Sequence, residues 1–160
     1  MHQYWDSEDT NSDDFQKWEE HYPHDEDRFS LYIYLSEEEL DELPAIIFDM
    51  YDELRVTLNN DLNVLAGIGL RMVVEAVCIK QDIPGRNLKN KIQSLLEVGL
   101  ISKNDFEVID KLREIGNVST HQIKGPSATV LEASLEAVNH LLRTVFVVQK
   151  RTRKLRIKNS

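Results

Sequence analysis

The polar residues with the most chemical promise lie in one stretch, Lys111 to His121. Arg113, Asn117 and His121 recur every four residues there, and a continuous helix carries such residues along one side at about 100° per residue. Apolar residues precede them on a neighbouring stripe: Phe106, Ile109 and Leu112. Partial burial at such a border tunes pKa values, and a histidine titrating near neutrality transfers protons. The stretch predicts a functional cleft or a subunit interface.

A second interpretation of the same stretch is a helix end. Gly116 and Asn117 are residues that stop helices, and in that case Asn117 caps the helix while His121 is simply exposed. The sequence favours neither interpretation.

Other kinds of site have little support. The chain has no glycine-rich phosphate loop, no Ser/His/Asp order and no paired catalytic carboxylates. His21 and His24 lie near Asp25, but no second ligand cluster follows at workable spacing, so we expect no metal and no cofactor. The single cysteine, Cys78, lies between apolar residues and is interpreted as a core residue, which is compatible with a reducing cytoplasm.

Charge is distributed unevenly along the chain. Residues 1–54 hold 18 acidic and 2 basic residues, whereas residues 55–160 hold 10 and 17, so the two parts attract each other. A basic body can meet phosphate, and an acidic arm can either cover that surface or repel nucleic acid from it. No long apolar run and no basic-then-apolar leader is present, which predicts a soluble cytoplasmic protein that does not enter a membrane.

The N-terminal residues 1–35 are interpreted as an acidic arm. Aromatic residues are spaced among its carboxylates: Trp5, Phe15, Trp18 and Tyr22. Such segments often dock aromatic side chains on a partner, although the same residues can instead pack on their own domain as a solvated tail. Phe29 to Leu35 is β-branched and aromatic, which indicates one short strand or an extended packing segment.

Residues 36–149 predict an all-α, compact bundle of about five helices. A first helix is expected after a capping box at Ser36, and two more over 44–59 and 62–81. Further helices are expected from Asn87 to Gly99, from Ser102 into the Lys111–His121 stretch, and from Ser127 to Val148. Residues 62–81 are apolar almost all round, which predicts the central and most buried helix. Arg71 and Glu75 on it are spaced as an ion pair, or as supports that orient the His121 region.

The last residues, 150–160, form a basic tail. Its cations are candidates for contact with phosphate or an acidic partner, or form a solvated end: Arg151, Arg153, Lys154 and Arg156. A bundle this small with two apolar faces on its last helices can bury the second face by pairing, so we expect a homodimer.

From about Leu43 to Val148 the chain resembles a small all-helical family of unknown function. Three segments carry the resemblance: Met50-Tyr51-Asp52-Glu53 after Leu43-Pro44, the "R-x-x-x-E" helix at Arg71 and Glu75, and the "GN-x-x-x-H" signature from Gly116 to His121. That family occurs alone or fused to restriction-endonuclease subunits, and is grouped with the HEPN-like superfamily.

The resemblance implies two functions. HEPN-like nucleases cut RNA without metal at a composite site between two protomers, which implies that Arg113 and His121 are catalytic and that Asn117 holds the phosphate or the histidine. The usual motif places an arginine four to six residues before the histidine, whereas Arg113 stands eight residues before His121 here. We therefore expect a dimerisation or adaptor module of a prokaryotic antiviral defence or nucleic-acid-processing system, with metal-independent RNase activity as the alternative.

Overall fold

The computed structural model describes residues 34–117 and 125–158, with the backbone alone at Gly116, Asn117, Lys154 and 156–158. All regular structure in these residues is helical: α1 Glu37–Leu40, α2 Ala45–Asn59, α3 Asn63–Lys80, α4 Leu88–Glu97, α5 Lys103–Asn117, α6 Ala128–Leu142, a π-helical segment Arg143–Val148, and α7 Gln149–Lys158. The predicted all-α helical bundle is confirmed.

Helix ends lie where the sequence places capping residues. Ser36 and Glu39 form a reciprocal capping box at α1, and the Asn87 side chain accepts from the backbone N–H of Asn90 at α4. Ser102 and Asp105 bond in the same reciprocal way at α5. Helix α3 begins without a side-chain cap: Leu62 holds the capping position, and Asp61 makes the turn before it at a positive φ of 55°.

Helix α3 is central in the bundle, as predicted. It contacts α2, α4, α5 and α6, while α5 packs between α4 and α6. Its inward side is fully buried: Ala66, Leu70, Val73, Val74, Val77 and Cys78. The burial of Cys78 confirms its role in the core, and burial also raises the pKa of its thiol to about 11.

Although α3 is apolar almost all round, it is not buried all round. Four large apolar side chains on its outer side are half exposed or more: Leu65 53%, Ile68 50%, Met72 51% and Ile79 64%. We call them the α3 stripe, since their spacing places them along one side of the helix. The second apolar face expected on the last helices is not seen among the side chains that the structure describes there: between Ala128 and Leu155, the large exposed apolar ones are Val148 and Leu155.

Buried polar contacts fix the chain before α1 to the bundle. Tyr34 donates to the side chain of Asn59 at 2.7 Å, and the backbone N–H of Leu35 donates to the Tyr51 hydroxyl at 3.1 Å. Tyr34 and Leu35 are buried and lie outside any strand. The remainder of the expected strand, Phe29 to Ile33, falls outside the described residues.

The C-terminal helix does not end at residue 149. It passes from α6 through the π-helical segment into α7, so the described part of the basic tail is helical. Of the helices within residues 34–117 and 125–158, none has the length and apolarity needed to cross a bilayer.

Candidate functional site

Gly116 and Asn117 are the part of the signature that the structure describes, and they are the last two residues of α5. Arg113 lies on this helix and α5 ends at Asn117. His121, with the rest of residues 118–124, lies outside the described residues, as does the side chain of Asn117. The choice between a continuous helix and a helix end beyond Asn117 therefore stays open.

The guanidinium of Arg113 is bound by carboxylates of its own helix. Its Nε donates to Asp110 Oδ1 at 2.6 Å, and its Nη2 donates to Glu114 Oε1 at 3.4 Å. The Arg113 side chain is only 11% exposed. The hydrogen bond to Asp110 raises the pKa of Arg113, which keeps the group charged but compensates that charge locally.

Glycines let the chain that follows the signature pack closely on α3. A Cβ atom built on Gly67 would lie 2.9 Å from Pro126 Cγ and 4.0 Å from Leu112 Cδ1. A Cβ on Gly125 would lie 3.0 Å from Val64 Cγ2. Real Cβ contacts are longer, so the two segments approach this closely because these residues are glycines. Leu112 of α5 and the Gly125–Pro126 segment thus both lie against the first half of α3.

Arg71 and Glu75 lie one helical turn apart on α3, but they are near different neighbouring segments. Arg71 follows Gly67 by one helical turn and so lies on the same side of α3 as the contact with Pro126. Glu75 pairs instead with Lys91 of α4, whose Nζ lies 3.9 Å from Glu75 Oε1. Arg71 therefore lies on the side of α3 that contacts Pro126, and Glu75 is directed to α4.

Sequence reasoning missed an open groove at the other end of the molecule. The groove has a volume of about 730 Å³ and lies where the start of α2 meets the π-helical segment and α7. Its floor is apolar and its rim basic; we define it by Leu43, Val145, Phe146, Val148, Lys150 and Arg153. Since these residues come from segments about a hundred positions apart, only the fold brings them together.

An ion pair closes one wall of the groove and another lies close by. Lys150 pairs with Glu42 beside the groove. Arg143 donates from Nε and Nη2 to the two carboxylate oxygens of Glu39 at 2.7 and 3.2 Å. The hydrogen bond from Arg143 holds the pKa of Glu39 below its ordinary value. These pairs fasten α1 and the start of α2 to the C-terminal helix.

A second polar cluster resembles a catalytic set but lacks the necessary order. The Asp105 carboxylate accepts from the Ser102 hydroxyl at 2.7 Å through one oxygen, and its other oxygen lies 3.1 Å from Nδ1 of His140. Burial raises the pKa of Asp105, but hydrogen bonds from Ser102 and His140 outweigh it and lower the pKa overall. The aspartate stands between hydroxyl and imidazole, so His140 cannot activate the serine. The cluster caps α5 and fastens it to α6.

The remaining predicted site residues are only partly described. Arg151 and Arg153 are exposed on α7, whereas the side chains of Lys154 and Arg156 are outside the description. The arm residues lie wholly outside it: Trp5, Phe15, Trp18 and Tyr22. In the part of the chain that is described, no three His, Cys, Asp or Glu side chains cluster as metal ligands would.

Comparison with known proteins identifies a family. A family model described as Domain of unknown function (DUF4145) matches residues 52–158, which is more than half of the chain and includes both α3 and the signature. No curated protein and no solved structure shows a significant match.

Proposed function

We propose, from the premise that the chain belongs to the DUF4145 family of domains of unknown function, that it is a helical dimerisation and adaptor module. The resemblance to HEPN-like domains suggests a place in a cytoplasmic prokaryotic defence or nucleic-acid-processing system. In this proposal the bundle pairs with a second copy, while the acidic arm and the basic tail are available to a protein partner or to RNA.

The α3 stripe is the observation that carries this proposal. Its four residues span fourteen positions, about 21 Å of helix at 1.5 Å per residue. Exposed apolar residues that are scattered singly need no explanation, but four on one side of the central helix of a bundle are typical of an interaction surface.

A second copy of the chain fits this stripe because the stripe is symmetric. Met72 lies at its middle, so an antiparallel pair of α3 helices related by a two-fold axis places Leu65 of one copy opposite Ile79 of the other. Arg71 and Glu75 lie on the same edge of the stripe and carry opposite charges. The two-fold axis brings Arg71 of each copy toward Glu75 of the other. This charge match favours a symmetric pair of identical chains over a contact with a different protein.

The contacts of Arg113 favour an adaptor over a nuclease. An arginine that stabilises a phosphorane needs its donors directed at the phosphate. In the bundle the Nε donor of Arg113 is committed to Asp110 and an Nη2 donor to Glu114. The other N–H donors of Arg113 belong to a guanidinium whose charge these two carboxylates already compensate, which weakens its attraction for a phosphate.

Light scattering tests the proposal. The wild-type chain of 18.6 kDa should scatter as a particle of twice that mass. Met72→Glu, which places a charge at the middle of the stripe, should give monomers with unchanged helical circular dichroism. The control is Ile46→Glu, because Ile46 is 61% exposed on α2 and lies outside the stripe. A wild-type chain that is monomeric at high micromolar concentration would overturn the proposal.

A further inference from the structure

The groove beside α7 has the chemistry to hold a bulky apolar side chain flanked by carboxylates. Val145 and Phe146 lie in its floor with Val148, and Lys150 and Arg153 line its rim. Glu42 is the acidic residue of the lining, and it is already paired with Lys150. A segment that contains both aromatic rings and carboxylates would place its rings on the apolar floor and its carboxylates against the basic rim.

One segment of this chain has that composition. Residues 13–20 read Asp-Asp-Phe-Gln-Lys-Trp-Glu-Glu, so that Phe15 and Trp18 are each flanked by a pair of acidic residues. Residues 1–33 as a whole contain 10 acidic and 2 basic residues, whereas residues 55–160 carry the opposite excess. Charge complementarity thus points to the arm and not to a basic or neutral ligand.

The distances allow the arm to reach the groove. The described chain begins at Tyr34, which is fixed to Asn59 at the end of α2, and the groove lies at the start of α2 near Leu43. These ends of α2 are about 22 Å apart at 1.5 Å per residue. Residues 21–33 span up to about 43 Å when extended, which is sufficient. Because the arm is tethered, its effective concentration at the groove is high.

We propose that residues 13–20 dock in this groove of their own chain, with Phe15 and Trp18 on the apolar floor and the neighbouring carboxylates against Lys150 and Arg153. Docking covers the basic start of α7 and the arm's aromatic residues at the same time. A partner of either surface would compete with this contact. This inference goes beyond the proposed function and does not depend on pairing through the α3 stripe.

Tryptophan fluorescence tests the docking directly, because both tryptophans of the chain, Trp5 and Trp18, lie in the arm. Trp5→Phe leaves Trp18 as the only reporter in the full-length protein. We expect its emission to be at short wavelength and its quenching by iodide to be weak. Emission and quenching equal to those of the urea-unfolded protein would overturn the proposal.

Matched variants in the Trp5→Phe background locate the contact. Val148→Asp in the floor and Arg153→Glu on the rim should each move the emission to longer wavelength and raise the iodide quenching constant several-fold. The controls are Leu155→Asp and Arg151→Glu, exposed positions on the same helix that do not line the groove. Equal effects of floor, rim and control variants would overturn the assignment to this groove.

Two further readings separate docking within one chain from its competitors. An emission maximum independent of protein concentration from nanomolar to high micromolar supports docking within the chain, whereas a red shift on dilution means that the arm binds another copy and overturns the proposal. Circular dichroism of Val148→Asp should match the wild type, because Val148 is already 55% exposed. If that variant were unfolded, Arg153→Glu with Arg151→Glu as its control would decide.

Discussion

Tyr51 donates a 2.8 Å hydrogen bond to Asn139 inside the core, across 88 positions of sequence. The same hydroxyl accepts from the backbone N–H of Leu35, so one buried oxygen joins the chain before α1, helix α2 and helix α6. Burial raises the pKa of Tyr51 and keeps the hydroxyl protonated as a donor.

Removing this hydroxyl should lower the free energy of unfolding. Tyr51→Phe leaves the N–H of Leu35 and the amide oxygen of Asn139 without this partner, at a cost of about 1–3 kcal/mol. Urea denaturation measures the loss. In a double-mutant cycle, Tyr51→Phe with Asn139→Leu should cost less than the sum of the two single variants. Strict additivity would contradict the hydrogen bond.

Two glycines of α3 should respond oppositely to alanine. At Gly67 the added methyl meets the rigid ring of Pro126 at 2.9 Å, and overpacking of this kind costs about 1–3 kcal/mol. At Gly69 the added methyl meets the flexible end of Leu54 at 3.3 Å. There the higher helix propensity of alanine relative to glycine adds about 0.5–1 kcal/mol of stability, which offsets the cost of the contact. Gly67→Ala should therefore be clearly less stable than Gly69→Ala in urea. Equal midpoints would contradict the packing of Pro126 on α3.

Acid should weaken the pairing of Glu39 with Arg143. The pKa of Glu39 is lowered in the folded state, so the stabilisation is complete above the ordinary glutamate pKa of 4.5 and is lost as the pH falls through the folded pKa. Glu39→Gln should lower the free energy of unfolding at pH 7 by about 1 kcal/mol, since both partners are partly exposed. The difference from wild type should shrink toward pH 3. A difference that does not change with pH would contradict the charge pairing.

Arg113→Ala should act on stability and not on catalysis. The side chain is largely buried and bonded to Asp110, so its removal should cost about 1–3 kcal/mol by leaving that carboxylate unpaired. The matched control is Lys111→Ala, an exposed position on the same helix. We also expect wild-type protein to leave single-stranded RNA intact in EDTA. Cleavage that Arg113→Ala and His121→Ala each abolish without loss of stability would instead establish the nuclease alternative.

Local signals in the sequence predicted the helices well. Capping residues such as Asn87 and Ser127 bond to backbone groups within three positions, so the sequence alone contains both partners. Gly99 ends its helix with a positive φ of 76°, a conformation that glycine adopts without strain.

The surfaces of the bundle could not be predicted in the same way. Met72 and Val73 are equally apolar neighbours, yet one is half exposed and the other fully buried, because burial depends on which helices pack around α3. The groove likewise joins Leu43 to Val145, and no local pattern relates residues so distant in sequence. The signature gave the position of Arg113 on its helix but not the carboxylates that bind it, since their side-chain geometry depends on the packed environment.

The π-helical turn between α6 and α7 acts as a change of phase in an otherwise unbroken helix. A π turn accommodates an extra residue, so everything beyond Val148 is rotated by about 100° relative to a continuous α-helix. The helix axis continues, but the side chains face a new direction. Deleting one residue there would restore the α-helical ladder and turn Lys150 and Arg153 away from the groove. The direction of the basic residues is therefore set by a single inserted position, separately from the packing of α6.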